Sequence, residues 1–418
     1  MRSSPLPAGP TGPPDLEGRV KRIAVPAVLA VSVAVGLLLW VLKPIPHAYR
    51  YDLALTLPLA LALVWALYLA PPAWVFKKAV LAFVLVLGVG LGLRVLLTPD
   101  FNLELVRHYE SVFKTMDAGG NPYTSGTIFH MGEGGRVVYG NFNYPPMEIY
   151  PYYLAYRLAG RWNSVVFTAA MVFLNALACL AFALMFPGVR RRYLLPYFLV
   201  FLFLEVKTNP AMTFLVTALV LLLARRGELR PRPGRRYAIA VLFGVGLLTK
   251  FLIIPLMAAY YWHGFDRRDL RSLGRVAVDS GIAVATATLL MLPFGAGAVL
   301  KNTILFNLVM KDRAALATFY PNALSGPLSW LHLAGLYPFA AVALLGLAVL
   351  AAPRLKLHTA LLAAAYAFLL VATTPEPQYL AILLFIVLAG QCAALEDEGP
   401  MPPGVWKRPP EPTPRTLS

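Results

Sequence analysis

Three stretches of this chain concentrate side chains that exchange protons or hold anions. The segment 98–145 carries Asp100, Glu104, His108, Asp117, His130 and Glu133 among apolar and aromatic neighbours. The segment 294–325 contributes Lys311, Asp312 and Arg313, and the short turn 374–378 contributes Glu376 and Gln378. Two further lysines, Lys207 and Lys250, interrupt otherwise apolar sequence. Carboxylates among cations suit an anionic headgroup: Lys or Arg holds a phosphate while a carboxylate takes the proton of an attacking hydroxyl. Asp100, directly after Pro99, is a candidate base; the alternative is an N-cap for a helix beginning near Phe101. Glu104 is the second candidate, against a solvated helix face. Lys250 reads as a phosphate ligand or as a lysine snorkelling to an interface. His108, Lys207, Lys311 and Arg313 carry the same choice between phosphate binding and local or solvated roles. Glu376 and Gln378 sit at a turn facing the same side. Asp117, before Gly119 and Gly120, reads as a turn former.

Several chemistries have no motif here. There is no Gly-x4-Gly-Lys-Ser/Thr phosphate loop, no strand-borne GxGxxG, no HExxH, no CxxC and no GxSxG. Cys179 and Cys392 lie in apolar runs at no metal-binding spacing, so they read as packing residues. Neither a metal nor a cofactor is expected.

The elements that must position these residues follow from composition. Apolar types make up 59% of the 418 residues and charged types 14%. Soluble domains run at roughly 45–50% apolar and about 25% charged, so most of the chain is unsuited to water. That excludes a multidomain soluble enzyme, a disordered protein and a collagen-like fibre. The apolar runs are 23–42, 52–70, 76–97, 164–186, 193–206, 209–224, 237–248, 251–263, 276–293, 326–351, 358–373 and 378–395. The expected fold is therefore all-α, a polytopic transmembrane bundle of about 12 segments, some short or broken. The Pro- and Gly-rich ends, 1–18 and 396–418, are expected to be disordered tails. Segment 19–78 would supply two additional membrane helices and 79–395 a catalytic core, with 98–161 as a long outer loop and interfacial segment.

With the N-terminus in the cytoplasm and sides alternating, the basic clusters at 190–192, 225–236 and 267–275 fall inside. The net charge of +17 is then a topology signal for a cell-membrane protein with both termini cytoplasmic, and no nucleic-acid partner is expected. This orientation brings the chemically capable segments to one outer face. An interhelical loop of about 45 residues is far longer than usual, and such loops are normally functional. Segments 193–224 and 237–263 are interrupted at Glu205–Asn209 and at Thr249–Lys250; each is either two short spans or a V turning at mid-depth, and 237–263 is alternatively one helix. Segment 145–161, interrupted by Glu148 and Pro151, is placed along the outer interface, with crossing as the alternative.

Asp100-Phe-Asn, Gly119-Gly-Asn-Pro-Tyr123 and Tyr144-Pro-Pro146, in that order, resemble the polytopic GT-C glycosyltransferases, and among them the polyprenyl-phosphate-mannose-dependent mannosyltransferase group. Glu205-Val-Lys-Thr-Asn209 is similar to that group's polar break, although Lys207 stands where an amide is usual. Leu247-Leu-Thr-Lys250 resembles its Lys-bearing helix, and Leu292-Pro-Phe294 and Asn322 to Ser325 its late loop. The resemblance covers roughly 79 to 395. It implies an inverting transfer of a sugar, mannose or another hexose or pentose, from a polyprenyl-phosphate donor to a lipid or glycan acceptor on the outer face. The base would be Asp100 by residue type or Glu104 by spacing. His108, Asn121, Tyr123, Tyr144, Lys207, Asn209, Lys250, Lys311, Arg313, Glu376 and Gln378 would bind substrate. The rival reading is a transporter or flippase of a lipid-linked or anionic solute, which the broken helices also suit; the sequence shows no internal repeat of the kind transporters often carry.

Overall fold

The computed structural model describes residues 64, 66–98, 103–131, 137–204, 210–229, 233–265, 270–310, 328, 331–371 and 379–397. The expected span 23–42, most of 52–70, the tail 1–18 and residues 398–418 lie outside them, while Glu396 and Asp397, expected in the C-terminal tail, belong to the last helix. The described architecture is helical, with one small hairpin. Its helices are α1 Lys78–Leu97, α2 Leu103–Asp117, α3 Tyr150–Ala159, α4 Ser164–Met185, α5 Arg191–Phe203, α6 Ala211–Leu229, α7 Pro233–Leu247, α8 Ile253–His263 and α9 Leu270–Met291. A short α10 (Ala296–Leu300) leads into a π-helical stretch, Lys301–Met310, and α11 Tyr337–Ala351, α12 Leu357–Val371 and α13 Leu380–Asp397 follow. Strands β1 (Thr127–Met131) and β2 (Val137–Gly140) pair antiparallel, with an irregularity between Ile128 and His130.

Among the described residues, four helices are long and apolar enough to cross a membrane: Lys78–Leu97, Ser164–Met185, Arg271–Phe294 and Tyr337–Arg354. Ala211–Arg225, Leu357–Val371 and Leu380–Glu396 are apolar but shorter. The long helices carry large hydrophobic side chains on their outward faces: Val86 is 71% exposed, Phe173 62%, Leu289 65% and Phe339 74%. Such a surface is costly in water and ordinary against lipid.

Close helix contacts use glycine where no side chain fits. A Cβ on Gly88 of α1 would lie 2.7 Å from Leu199 Cβ of α5, and one on Gly244 of α7 would lie 2.5 Å from the Ala283 carbonyl oxygen of α9. Small residues let backbones approach where lipid removes the hydrophobic drive for helix association. Polar ties add direction. Arg236 of α7 donates from Nε to both carboxyl oxygens of Asp279 on α9, at 2.7 and 2.6 Å, and Arg225 of α6 pairs with Glu396 of α13. The Gln391 amide of α13 donates to the carbonyls of Leu67, Tyr68 and Ala70.

One expectation changes at this level, and two alternatives fall away. The segment 98–145 is not simply a loop: it contains the 15-residue helix α2 and the hairpin, so the expected all-α class gains a small strand pair. The segment 237–263 is two helices with a turn at 248–252 rather than one. The segment 145–161 forms a 3-10 turn, Pro146–Glu148, and then the 10-residue α3. At 1.5 Å per residue α3 reaches about 15 Å, half of what crossing requires.

Candidate functional site

Two apolar clusters organise the described residues, and the smaller holds the candidate site. It gathers Tyr109 and Phe113 of α2, Tyr123, Phe142, Tyr152 of α3 and Phe167 of α4. Rings dominate: Tyr109 lies 5.0 Å from Tyr152 and Phe113 lies 4.8 Å from Trp162, centroid to centroid. These offset and edge contacts make a stiff platform. At the end of α2, Asp117 accepts hydrogen bonds from Tyr153 (2.8 Å) and Tyr156 (2.7 Å) and pairs with Arg157 at 3.3 Å. So Asp117 is more than a turn former; it staples α3 to α2. The two tyrosine donors and Arg157 hold its carboxyl below the usual aspartate range. Its contribution to stability is therefore complete at neutral pH and fades only as pH falls through that lowered value. Asp117→Ala is expected to destabilise the protein by about 1 kcal/mol, the staple being partly exposed, measured as a drop in the thermal midpoint. No drop would deny the staple any weight.

The Gly119-to-Tyr123 turn fixes the next layer. Gly119 has φ +75°, where a side chain is strained. Asn121 Oδ1 accepts the Tyr123 amide at 3.0 Å, and its Nδ2 donates to the Phe294 carbonyl at 2.6 Å. The Tyr123 hydroxyl donates to the Tyr144 carbonyl at 2.7 Å, and Asn302 Nδ2 donates to the Tyr123 carbonyl at 2.8 Å. The ring of Tyr123 is wholly buried. In this arrangement the Asn121 amide and the Tyr123 hydroxyl are used in hydrogen bonds that shape the site.

Tyr144 then carries the chain into Pro145 and the 3-10 turn at Pro146–Glu148. The Met147 amide donates to the Leu248 carbonyl at 2.9 Å, which ties this turn to the break between α7 and α8. At the break, Thr249 Oγ1 donates to the Gly246 carbonyl at 2.7 Å and accepts from Thr213 Oγ1 at 3.0 Å. Lys250 follows, 8% exposed, with Nζ 4.3 Å from the centroid of the Tyr144 ring, a cation–π contact. His108 closes the other side: its ring lies 5.1 Å from Phe142 and 5.9 Å from Tyr144.

Glu148 is the residue that sequence reasoning did not place in the site. It is fully buried, and neither carboxyl oxygen has a hydrogen-bond partner among the described residues. Burial pushes its carboxyl up to about 8, against the opposing pull of the Lys250 charge. At neutral pH it is mostly protonated. The available signal was one acid two residues after Tyr144-Pro-Pro146 in an aromatic run, which reads equally as an interfacial interruption.

His108, Tyr144 and Lys250 are thus brought together, framed by Asn121 and Tyr123. Glu104 belongs to α2, one turn before His108; its side chain lies outside the described residues, as do Asp100, Lys207, Asn209, Lys311, Arg313, Glu376 and Gln378. Among the described residues no group of three or more His, Cys, Asp or Glu is placed to hold a metal ion. The arrangement offers a buried cation against a tyrosine face, a protonatable carboxyl and a histidine. Compared with known proteins, the chain matches no family model, no curated protein and no solved structure.

Proposed function

We propose that the chain is a polytopic membrane glycosyltransferase of the GT-C type. It takes a sugar from a polyprenyl-phosphate donor and gives it to a lipid or glycan acceptor at the outer face of the cell membrane. In this reading about 12 membrane segments place both termini in the cytoplasm, and the apolar outward faces of the described helices support residence in lipid. The observation that carries the reading is Lys250: a buried cation at a helix break, against Tyr144 and tied through Met147 and Leu248 to the aromatic platform. Ionisable groups buried at such breaks mark functional sites in membrane proteins.

The chemistry follows from charge. The acceptor oxygen attacks the anomeric carbon as the bond from that carbon to the donor phosphate oxygen breaks, so the configuration inverts. The departing oxygen keeps the electron pair, and Lys250 stabilises its developing charge. Asp100 or Glu104 takes the acceptor proton. His108 and Tyr144 flank the phosphate.

Membranes containing the protein, given a panel of radiolabelled polyprenyl-phosphate sugars, should form one labelled lipid or glycan product. The double variant Asp100→Asn, Glu104→Gln should lose at least about a hundredfold of that transfer, the usual weight of a general base. Transfer from no donor would remove the enzymatic reading, and solute movement without product would favour a transporter. Full transfer by the double variant would move the base elsewhere.

A further inference from the structure

Glu148 has no role in the transfer step, yet it occupies the least expected position in the site. Its carboxyl lies on the 3-10 turn that the Met147–Leu248 hydrogen bond locks to the α7–α8 break. Lys250, on that break, is close enough for its charge to act on Glu148. Both carboxyl oxygens are buried and lack hydrogen-bond donors among the described residues. An ionised carboxylate so placed has charge attraction and no donor of its own to stabilise it, which is an unfavourable way to bury a charge.

We infer that Glu148 makes the Lys250 site a proton-coupled anion site: when a phosphate diester engages Lys250, Glu148 holds or takes up a proton, so that two anions never share the buried lysine. This rests on the reading that Lys250 receives the donor phosphate. The coupling follows from like-charge repulsion. An anion arriving beside Glu148 disfavours the carboxylate and raises its proton affinity. By linkage, the anion must then bind more weakly wherever Glu148 is ionised in the empty site. Affinity is complete at low pH and lost as pH rises through the empty-site value of about 8.

The other titratable groups around Glu148 are separable. Tyr123, on the turn before β1, and Tyr150 and Tyr152, of α3, are all raised by burial, so they stay neutral across this window. His108 of α2 touches Tyr144 and is retained in a Glu148 variant. Tyr144 and Lys250 are common to wild type and any Glu148 variant.

The test uses farnesyl methyl phosphodiester, which carries one negative charge throughout, and the full chain in lipid nanodiscs. Titration calorimetry between pH 7 and pH 9 should show wild-type affinity falling about tenfold. At pH 8.5, two buffers of different ionisation enthalpy should reveal proton uptake on binding. Glu148→Gln, which keeps shape and removes the titration, should bind with nearly the same affinity at both ends. The calorimetric uptake needs no variant, so it stands even where Glu148→Gln folds poorly. Binding without proton uptake, or an identical pH slope in Glu148→Gln, would overturn the coupling and leave the phosphate site intact. Absence of binding at every pH would overturn both the coupling and the site.

Discussion

Lys250→Met is expected to lower transfer from a polyprenyl-phosphate sugar by about a hundredfold to a thousandfold, the usual weight of one preorganised group facing developing charge. The alkyl stem stays, so the packing against Tyr144 survives while the ammonium is lost. The fold should tolerate this change. Without Lys250 the neighbouring Glu148 loses a charge that favours its ionised form, stays protonated, and leaves no bare buried carboxylate. Saturation with donor should suffer more than saturation with acceptor. If both saturate as in the wild type and turnover falls less than fivefold, Lys250 lies outside the phosphate site.

Gly244→Val is expected to have the largest effect on stability. A Cβ at this position meets the Ala283 carbonyl oxygen at 2.5 Å and Thr286 Cβ at 2.6 Å. Backbone cannot rotate aside as a side chain can, so α7 and α9 must separate. Overpacking costs about 1–3 kcal/mol in ordinary cores, and here it also strains the Arg236–Asp279 pair between the same helices. The thermal midpoint in detergent should fall by several degrees or the protein should fail to fold. Gly90→Val is the control, because nothing lies within 4 Å of a Cβ there. Equal midpoints for both variants would mean that α7 and α9 do not pack this closely.

The helices were legible because lipid imposes a single rule: a run of apolar residues with satisfied backbone is a helix. The runs 76–97, 164–186 and 358–373 became Lys78–Leu97, Ser164–Met185 and Leu357–Val371 within a few residues. The break at Lys250 was legible for the same reason, since a cation inside an apolar run is expensive. Helix α2 was harder to read, because its buried face of Val106, Tyr109, Val112 and Phe113 packs on aromatic rings contributed from far along the chain. The resemblance placed Asn121 and Tyr123 among the substrate-binding residues, but their hydrogen bonds reach Phe294 and Tyr144, and such tertiary partners have no local signature. Glu148 escaped because one carboxylate in sequence does not reveal that both its oxygens will be dry.

The Thr213–Thr249–Gly246 hydrogen-bond thread bears on how readily the site fills. It supplies, from within the protein, the polar partners that an interrupted helix would otherwise seek from water or a guest molecule. The lysine-bearing turn consequently has its shape before anything arrives. Under the proposed function an incoming phosphosugar would be spared the entropic toll of ordering that segment, and vacant and occupied forms should display the same amide protection at residues 246–250.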